Sequence, residues 1–494
     1  VTVKRYLYFT HRWLGITLCL FMAMWFISGV VMMYVGYPKL SMAERLSALP
    51  ALDSGQCCAE LTALLSATGQ KTSPENIRLT SVNNTPRLIL SYGKNNQIAV
   101  DGITGQRIAA VSEAQALANA QAFMHTTGRY ADSVNEDAWT HSRALDGQRP
   151  LHRVLMHDAD DTLLYVSSTT GEVVRDATGM ERGWNWLGAW IHWLYPFRGG
   201  IFEGQSANII IYSSLIGCFA VLTGMIVGVL RWRVVGQYKH GGKTPYRTGM
   251  MRWHHLFGLV FGIITFTWIF SGLMSMNPWK IFDSGAPKLN IKAYQSGELD
   301  ALHFPLSIQK ALAAFQATGF YPRELEWQLL DGKGYYIGFD NNGQSSILAA
   351  ETNATPFKQF AWQQLENAAT RLMGASKPSA ASILTDYDIY YYQRAAHTMT
   401  GHIEKRLPIL RLEFDDAYST WLHIDPYTGN VTKLDAYKRI SRWLFAFLHS
   451  WDWVQLLNSR PLWDSLMIVF SAGGLMISAS GIIIGWRRLG RKFS

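Results

Sequence analysis

Residues 11–34, HRWLGITLCLFMAMWFISGVVMMY, carry no charge after Arg12 and begin on a histidine. An apolar helix of this length crosses a bilayer. The stretch also recurs. At a shift of 243 residues, without a gap, His11 falls on His254, Gly15 on Gly258, Trp25 on Trp268, Ser28 on Ser271, Gly29 on Gly272 and Met33 on Met276. A histidine kept at the same edge of two spanning helices points to a ligand for something bound between them.

Four charge-free stretches, 13–38, 204–230, 253–279 and 465–486, are long enough to span, since about 20 residues cover a hydrocarbon core of about 30 Å. The net charge of +9 is concentrated beside them. Residues 1–12, 231–252 and 487–492 hold 13 basic residues and no acid, which leaves −4 for the rest. Basic residues flanking apolar segments are the positive-inside pattern rather than a nucleic-acid footprint. The expectation is a multi-pass protein with both termini cytoplasmic and no nucleic-acid partner. The copy at 253–276 predicts a retained first helix, not a cleaved signal peptide. Cys19 and Cys218 fall in spanning helices. Adjacent cysteines such as Cys57 and Cys58 rarely pair, so no disulfide framework is expected.

The chain divides into a cytoplasmic N-terminal piece 1–11, a spanning helix 12–35, an α+β domain 36–181, an interfacial segment 182–205, a spanning helix 206–231 and a basic loop 232–251. A spanning helix 252–277, a second α+β domain 278–439, an interfacial segment 440–461, a spanning helix 462–487 and a tail 488–494 follow. Within the first domain the pattern predicts a helix over 43–66, strands at 87–93, 97–101 and 162–168, and a helix over 112–125. Within the second it predicts strands at 334–340 and 421–424 and a helix over 357–373. The halves match outside the membrane too. Thr170-Gly171 falls on Thr428-Gly429 at a shift of 258. At a shift of 257, Trp186 falls on Trp443, His192 on His449, Gly217 on Gly474, Gly224 on Gly481 and Gly228 on Gly485. Two halves of the same orientation should be related by a pseudo-two-fold along the membrane normal.

That axis pairs equivalent residues. His11 faces His254 at the cytoplasmic end, and His192 faces His449 at the outer end. Two imidazoles across an axis can hold a planar haem from both faces, and two such pairs make a wire across the membrane. Two nitrogen ligands leave no open position, which favours electron transfer over oxygen chemistry. The alternative is that the histidines are interfacial anchors. His255 is the alternative to His254 as ligand, and Met33 and Met276 are alternative thioether ligands. Gly15 and Gly258, one turn from His11 and His254, make room for a macrocycle or a close helix. His397 and His402 read as ordinary surface or turn residues. No GxGxxG, P-loop or HExxH occurs. The basic loop is too short for a flavin or nicotinamide domain, so the electron donor is a separate cytoplasmic partner or a membrane quinol. Trp184, Trp190, Trp193, Trp451 and Trp453 flank the outer histidines. With Tyr387, Tyr390, Tyr391, Tyr392 and Arg394 they form either a substrate platform or a membrane belt over core tyrosines.

The start KRYLYFTHRWLGI, the repeated helix ends WFISG and WIFSG, and the paired turns TGEVV and TGNVT resemble the PepSY-associated transmembrane family. Within it, FoxB-type inner-membrane ferrisiderophore reductases are similar. The resemblance covers nearly the whole chain. It implies a bacterial inner-membrane protein with four spanning helices in two tandem parallel repeats and two α+β PepSY-like periplasmic domains. It also implies two b-type haems on histidines at opposite membrane faces, and periplasmic reduction of ferric iron, as Fe(III)-siderophore or another chelate, to Fe(II). His11, His254, His192 and His449 are the positions that fit those ligands. One turn departs from the pattern. Opposite Asp101–Gly105, the second half reads Glu351-Thr-Asn-Ala-Thr355, without the Thr-Gly pair. Functions of other classes are a non-redox PepSY-type binding or inhibitory module, and a siderophore or iron transporter. Spanning helices without interior charge offer little for a transport path.

Overall fold

The computed structural model describes residues 2–493 apart from 56, 199–201, 203 and 375. Four long apolar helices lie along the chain: TM1 (Thr2–Met32), TM2 (Ser206–Arg231), TM3 (Met250–Ser275) and TM4 (Leu462–Phe493). Each is long and apolar enough to cross a membrane. TM1 packs against TM2 and TM4, and TM3 packs against the same two. TM1 and TM3 are therefore diagonal in the bundle. Close approach between helices rests on missing side chains. A Cβ on Gly474 would lie 2.2 Å from the ring of Phe26, and one on Gly481 would lie 2.5 Å from Cys19 Sγ.

The segments joining TM1 to TM2 and TM3 to TM4 fold at one end of the bundle. In the first, β1 (Asn76–Val82), β2 (Thr85–Ser91) and β3 (Gln97–Asp101) form an antiparallel meander. Then β4 (Gly128–Val134), β5 (Leu151–Met156), β6 (Leu163–Ser167) and β7 (Val173–Ala177) form a four-stranded sheet. The second segment repeats this. β8 (Glu324–Leu330), β9 (Lys333–Phe339) and β10 (Ser345–Ala349) form a meander. β11 (Pro378–Leu384), β12 (Ile409–Phe414), β13 (Trp421–Ile424) and β14 (Val431–Leu434) form the sheet. The fold is thus a membrane protein with four spanning helices and α+β sheet domains.

The domains are not separate bodies. β1 pairs with β8, Leu79 opposite Leu325, so the two meanders make one six-stranded sheet in the order β10-β9-β8-β1-β2-β3. Pairing the first strand of each half hides an edge that would otherwise stand open. One core runs under both meanders, with Leu79, Leu88 and Val100 from the first half and Leu325, Trp327 and Tyr336 from the second. A buried charge network crosses the seam. Glu324 is fully buried and accepts from Arg45 and from Arg78, whose other nitrogen reaches Glu172 at 2.8 Å.

Elsewhere the fold departs from the sequence pattern in specific ways. The helix expected over 43–66 is two short ones, Met42–Ala48 and Leu61–Ser66, since Pro50 cannot continue a helix. The helix expected over 357–373 is confined to Trp362–Ala369. Cys57 and Cys58 are joined in a disulfide, with Cα atoms 3.2 Å apart, where no pairing was expected. The turn after β10 needs no glycine. Asn353 takes φ 63°, the left-handed backbone that Gly105 takes at φ 70° after β3, and asparagine tolerates that region better than most residues.

Candidate functional site

The four histidines meet as two pairs. The ring centres of His11 and His254 are 6.2 Å apart, and so are those of His192 and His449. His11 and His254 come from the diagonal helices TM1 and TM3, so their imidazoles reach toward each other across the bundle. His192 and His449 come from short helices laid against the other end of the bundle. The chain uses two local devices to aim them. In the first half the interfacial helix breaks at Gly188, where a Cβ would lie 3.0 Å from Val31 on TM1, and restarts as Ala189–His192. In the second half a π-helical turn, Trp443–Phe447, precedes His449, a feature common where a helix must re-aim a functional side chain. Leu194 and Trp451, equivalent by the shift of 257, then both turn the chain with left-handed backbones, φ 52° and 47°.

Each ring is held by Nδ1. His11 Nδ1 is 3.0 Å from the Ala220 carbonyl on TM2, and His254 Nδ1 is 3.1 Å from the Ile477 carbonyl on TM4. A carbonyl only accepts, so Nδ1 carries the proton in both. His192 Nδ1 lies 3.0 Å from Ser28 Oγ and His449 Nδ1 lies 3.0 Å from Ser271 Oγ. Those hydroxyls spend their own protons on Met24 O and Trp268 O within their helices, so they accept from the rings. All four Nδ1 atoms therefore donate, and the lone pair sits on Nε2. Fixing the ligating tautomer through the other ring nitrogen is the usual support of a metal-bound histidine.

The spacing suits an ion between the rings. Metal–imidazole bonds run about 2.0–2.1 Å, and adding about 1.1 Å from nitrogen to ring centre on each side puts two opposed rings about 6.3 Å apart. A glycine lies against Cε1 of every ring. A Cβ would fall 2.5 Å from His11 at Gly224, 3.5 Å from His254 at Gly481, 3.6 Å from His192 at Gly29 and 3.8 Å from His449 at Gly272. Gly15 and Gly258 are different. A Cβ on either meets nothing within 4 Å, which leaves open space one turn from His11 and from His254. The donor set, the tautomers and this space fit a planar group held between two imidazoles. No cluster of three or more His, Cys, Asp or Glu that could hold a metal ion occurs among the described residues.

His255 is set apart from His254 by its bonds. Its Nε2 donates to the Gly228 carbonyl at 2.8 Å and its Nδ1 lies 2.7 Å from Thr244 Oγ1, so no lone pair remains for a metal. His397 lies in a turn, as expected, and its Nε2 donates to the Met33 carbonyl at the end of TM1. Among the substrate candidates, Trp184 is half exposed, while Trp193 packs on Tyr37 and Tyr195. Tyr391 lines no open cleft. It is 4 % exposed, stacks on His423 and donates to the Arg406 carbonyl. Arg394 lies 3.4 Å from Asp452, three residues past His449. The serines were visible in the sequence as repeated positions. The carbonyls of Ala220 and Ile477 were not, since a backbone acceptor has no sequence signature.

The architecture defines a class: a multi-pass membrane protein with paired α+β sheets at one end of a four-helix bundle and histidine pairs near both ends. The family described as PepSY-associated TM region matches residues 8–301, more than half of the chain, and the protein belongs to that family. No curated protein matches it.

Proposed function

We propose that the chain is a two-haem electron-transfer protein of the inner membrane that reduces ferric iron, held in a siderophore or another chelate, at the sheet end. The observation that supports this reading is the repeated histidine pair: twice, two imidazoles with Nδ1 engaged stand with ring centres 6.2 Å apart, a spacing suited to one iron. Iron ligated by two imidazoles supplies one-electron transfer without an open position for oxygen. His11 and His254 would hold one b-type haem and His192 and His449 the other. The carbonyls and serines on Nδ1 orient the rings and raise their basicity. The concentration of basic residues at 231–252 and around both ends of the chain supports a cytoplasmic far end of the bundle and sheets in the periplasm. Electrons enter from a separate cytoplasmic protein or a membrane quinol. Ferrous iron binds hard oxygen ligands more weakly than ferric iron, so one-electron reduction releases the metal.

Purified protein is expected to be red, with two haems per chain and a Soret band that shifts on dithionite. His192→Ala should halve the haem content and abolish ferric reduction while the remaining haem still reduces. Colourless protein from haem-replete cells would end the reading.

A second outcome separates neighbouring residues. His254→Ala should lose one haem, whereas His255→Gln should keep both and soften only the loop that Thr244 anchors. Haem-to-protein ratios of the two variants decide it, and the reverse pattern would make His255 the ligand.

A further inference from the structure

Beside the outer pair lies a charge cluster that the electron path does not use. Asp452, three residues past His449, is buried, with its side chain 3 % exposed. Arg442 Nη2 donates to its carboxylate and to its carbonyl, both at 3.0 Å. Arg394 Nη1 lies 3.4 Å away, and the Tyr392 hydroxyl donates to the same carboxylate. The two arginine side chains are 14 % and 11 % exposed. Among the described residues neither pairs with another carboxylate, so two largely buried cations share one anion. Such an excess is costly in a low-dielectric site. Arg442 is also only half used. Its Nε and Nη1 are buried and have no hydrogen-bond partner. The rings of Tyr392 and Trp443, 5.5 and 5.2 Å from its guanidinium carbon, hold it in place.

The cluster exists once. The shift of 257 carries Arg442 back to Asn185 and Asp452 back to Tyr195, so the first half repeats neither Arg442 nor its carboxylate, and Arg198 lies over the Tyr195 ring instead, 5.1 Å from its centre. Whatever completes the site must break the pseudo-two-fold. A haem lying between His192 and His449 does so, because both of its propionates leave one edge. We infer that the free edge of Arg442, backed by Arg394, is a carboxylate seat, and that a haem propionate fills it. The inference rests on the proposed haem at the outer pair. A carboxylate of an incoming iron chelate carries the same chemistry.

The test uses full-length protein in detergent, with Arg442→Gln and, should that variant fail to fold, Arg394→Gln. Losing a charge-assisted bond of this kind weakens binding about ten- to a hundredfold. If the ligand is a propionate, haem passes from the variant to apomyoglobin at least about tenfold faster from one of the two sites, the potential of that haem falls, and KM rises equally for ferric citrate and a ferric trihydroxamate. If the ligand is a chelate carboxylate, haem retention is unchanged and KM rises about tenfold for ferric citrate alone. Unchanged haem transfer and unchanged KM for both chelates would overturn the seat. Should the wild type hold no haem, the reading beneath fails separately. Quenching of tryptophan fluorescence by ferric citrate then tests the seat, and equal quenching in Arg442→Gln overturns it.

Discussion

Replacing Gly224 by valine is expected to remove the haem proposed between His11 and His254 and to leave the one proposed between His192 and His449 in place. The reason is local. A Cβ at Gly224 would stand 2.5 Å from Cε1 and 3.0 Å from Nδ1 of His11, well inside van der Waals contact. TM2 cannot retreat without losing its packing on TM1 and TM3, so the imidazole rotates away from the Ala220 carbonyl. It then loses both its fixed tautomer and its aim at His254. The haem-to-protein ratio should fall from two toward one, with the helices intact by circular dichroism. Gly15→Val provides the contrast, since a Cβ there meets no protein atom within 4 Å. That variant should fold with its side chains undisturbed and still lose the same haem, because the new methyls occupy space proposed for the macrocycle. Full haem content in Gly15→Val would show that the space serves helix packing or lipid instead. Full content in Gly224→Val would show that the His11 rotamer seen here is not needed.

How much of this frame was legible in the sequence depends on whether a feature is periodic, repeated or non-local. The spanning helices follow from uninterrupted apolar length, which tertiary context does not override. The pairing of His11 with His254 and of His192 with His449 follows from the repeat, because a pseudo-two-fold brings equivalent positions together. The repeat also marked Ser28 and Ser271, though not their task on Nδ1. His255 could be separated from His254 only in three dimensions, where Thr244 and the Gly228 carbonyl consume both of its nitrogens. For Tyr391 the sequence left a substrate platform and a core position both open, because a tyrosine run has no burial signal of its own, and the fold buries it. The β1–β8 seam was invisible. Its pairing joins residues nearly 250 positions apart, with Arg78 opposite Glu326, and each meander reads alone as a complete three-stranded unit.

That seam carries the second large effect. Glu324→Ala is expected to destabilise the six-stranded sheet by about 3–5 kcal/mol, the usual cost of leaving buried charges without their partner. Arg45 and Arg78 both come from the first half and both reach this one carboxylate of the second, so the variant strands Arg45 and leaves Arg78 only its bond to Glu172. Glu324→Gln keeps the shape and separates charge from volume. The pH dependence gives the sign. Burial alone would raise the Glu324 carboxyl, but the two guanidiniums outweigh it and hold the group at about 2, below its ordinary 4.5. A carboxyl depressed in the folded state contributes stability that is present above the unfolded value and is lost as pH falls through the folded one. The melting difference between wild type and Glu324→Gln should therefore be full above about pH 5 and shrink between 4.5 and 2. A difference independent of pH across that range would assign the effect to packing and not to the ion pairs. The consequence should also reach the histidines unequally. Ser28 and Ser271 hold His192 and His449 from different halves at the sheet end, whereas the basic-end pair lies at the opposite end of the bundle from the seam. Hydrogen exchange in β1 and β8 should rise in Glu324→Ala, and the haem proposed between His192 and His449 should be lost before the one between His11 and His254. Equal loss of both would mean that the seam stabilises the bundle as a whole and does not register one half on the other.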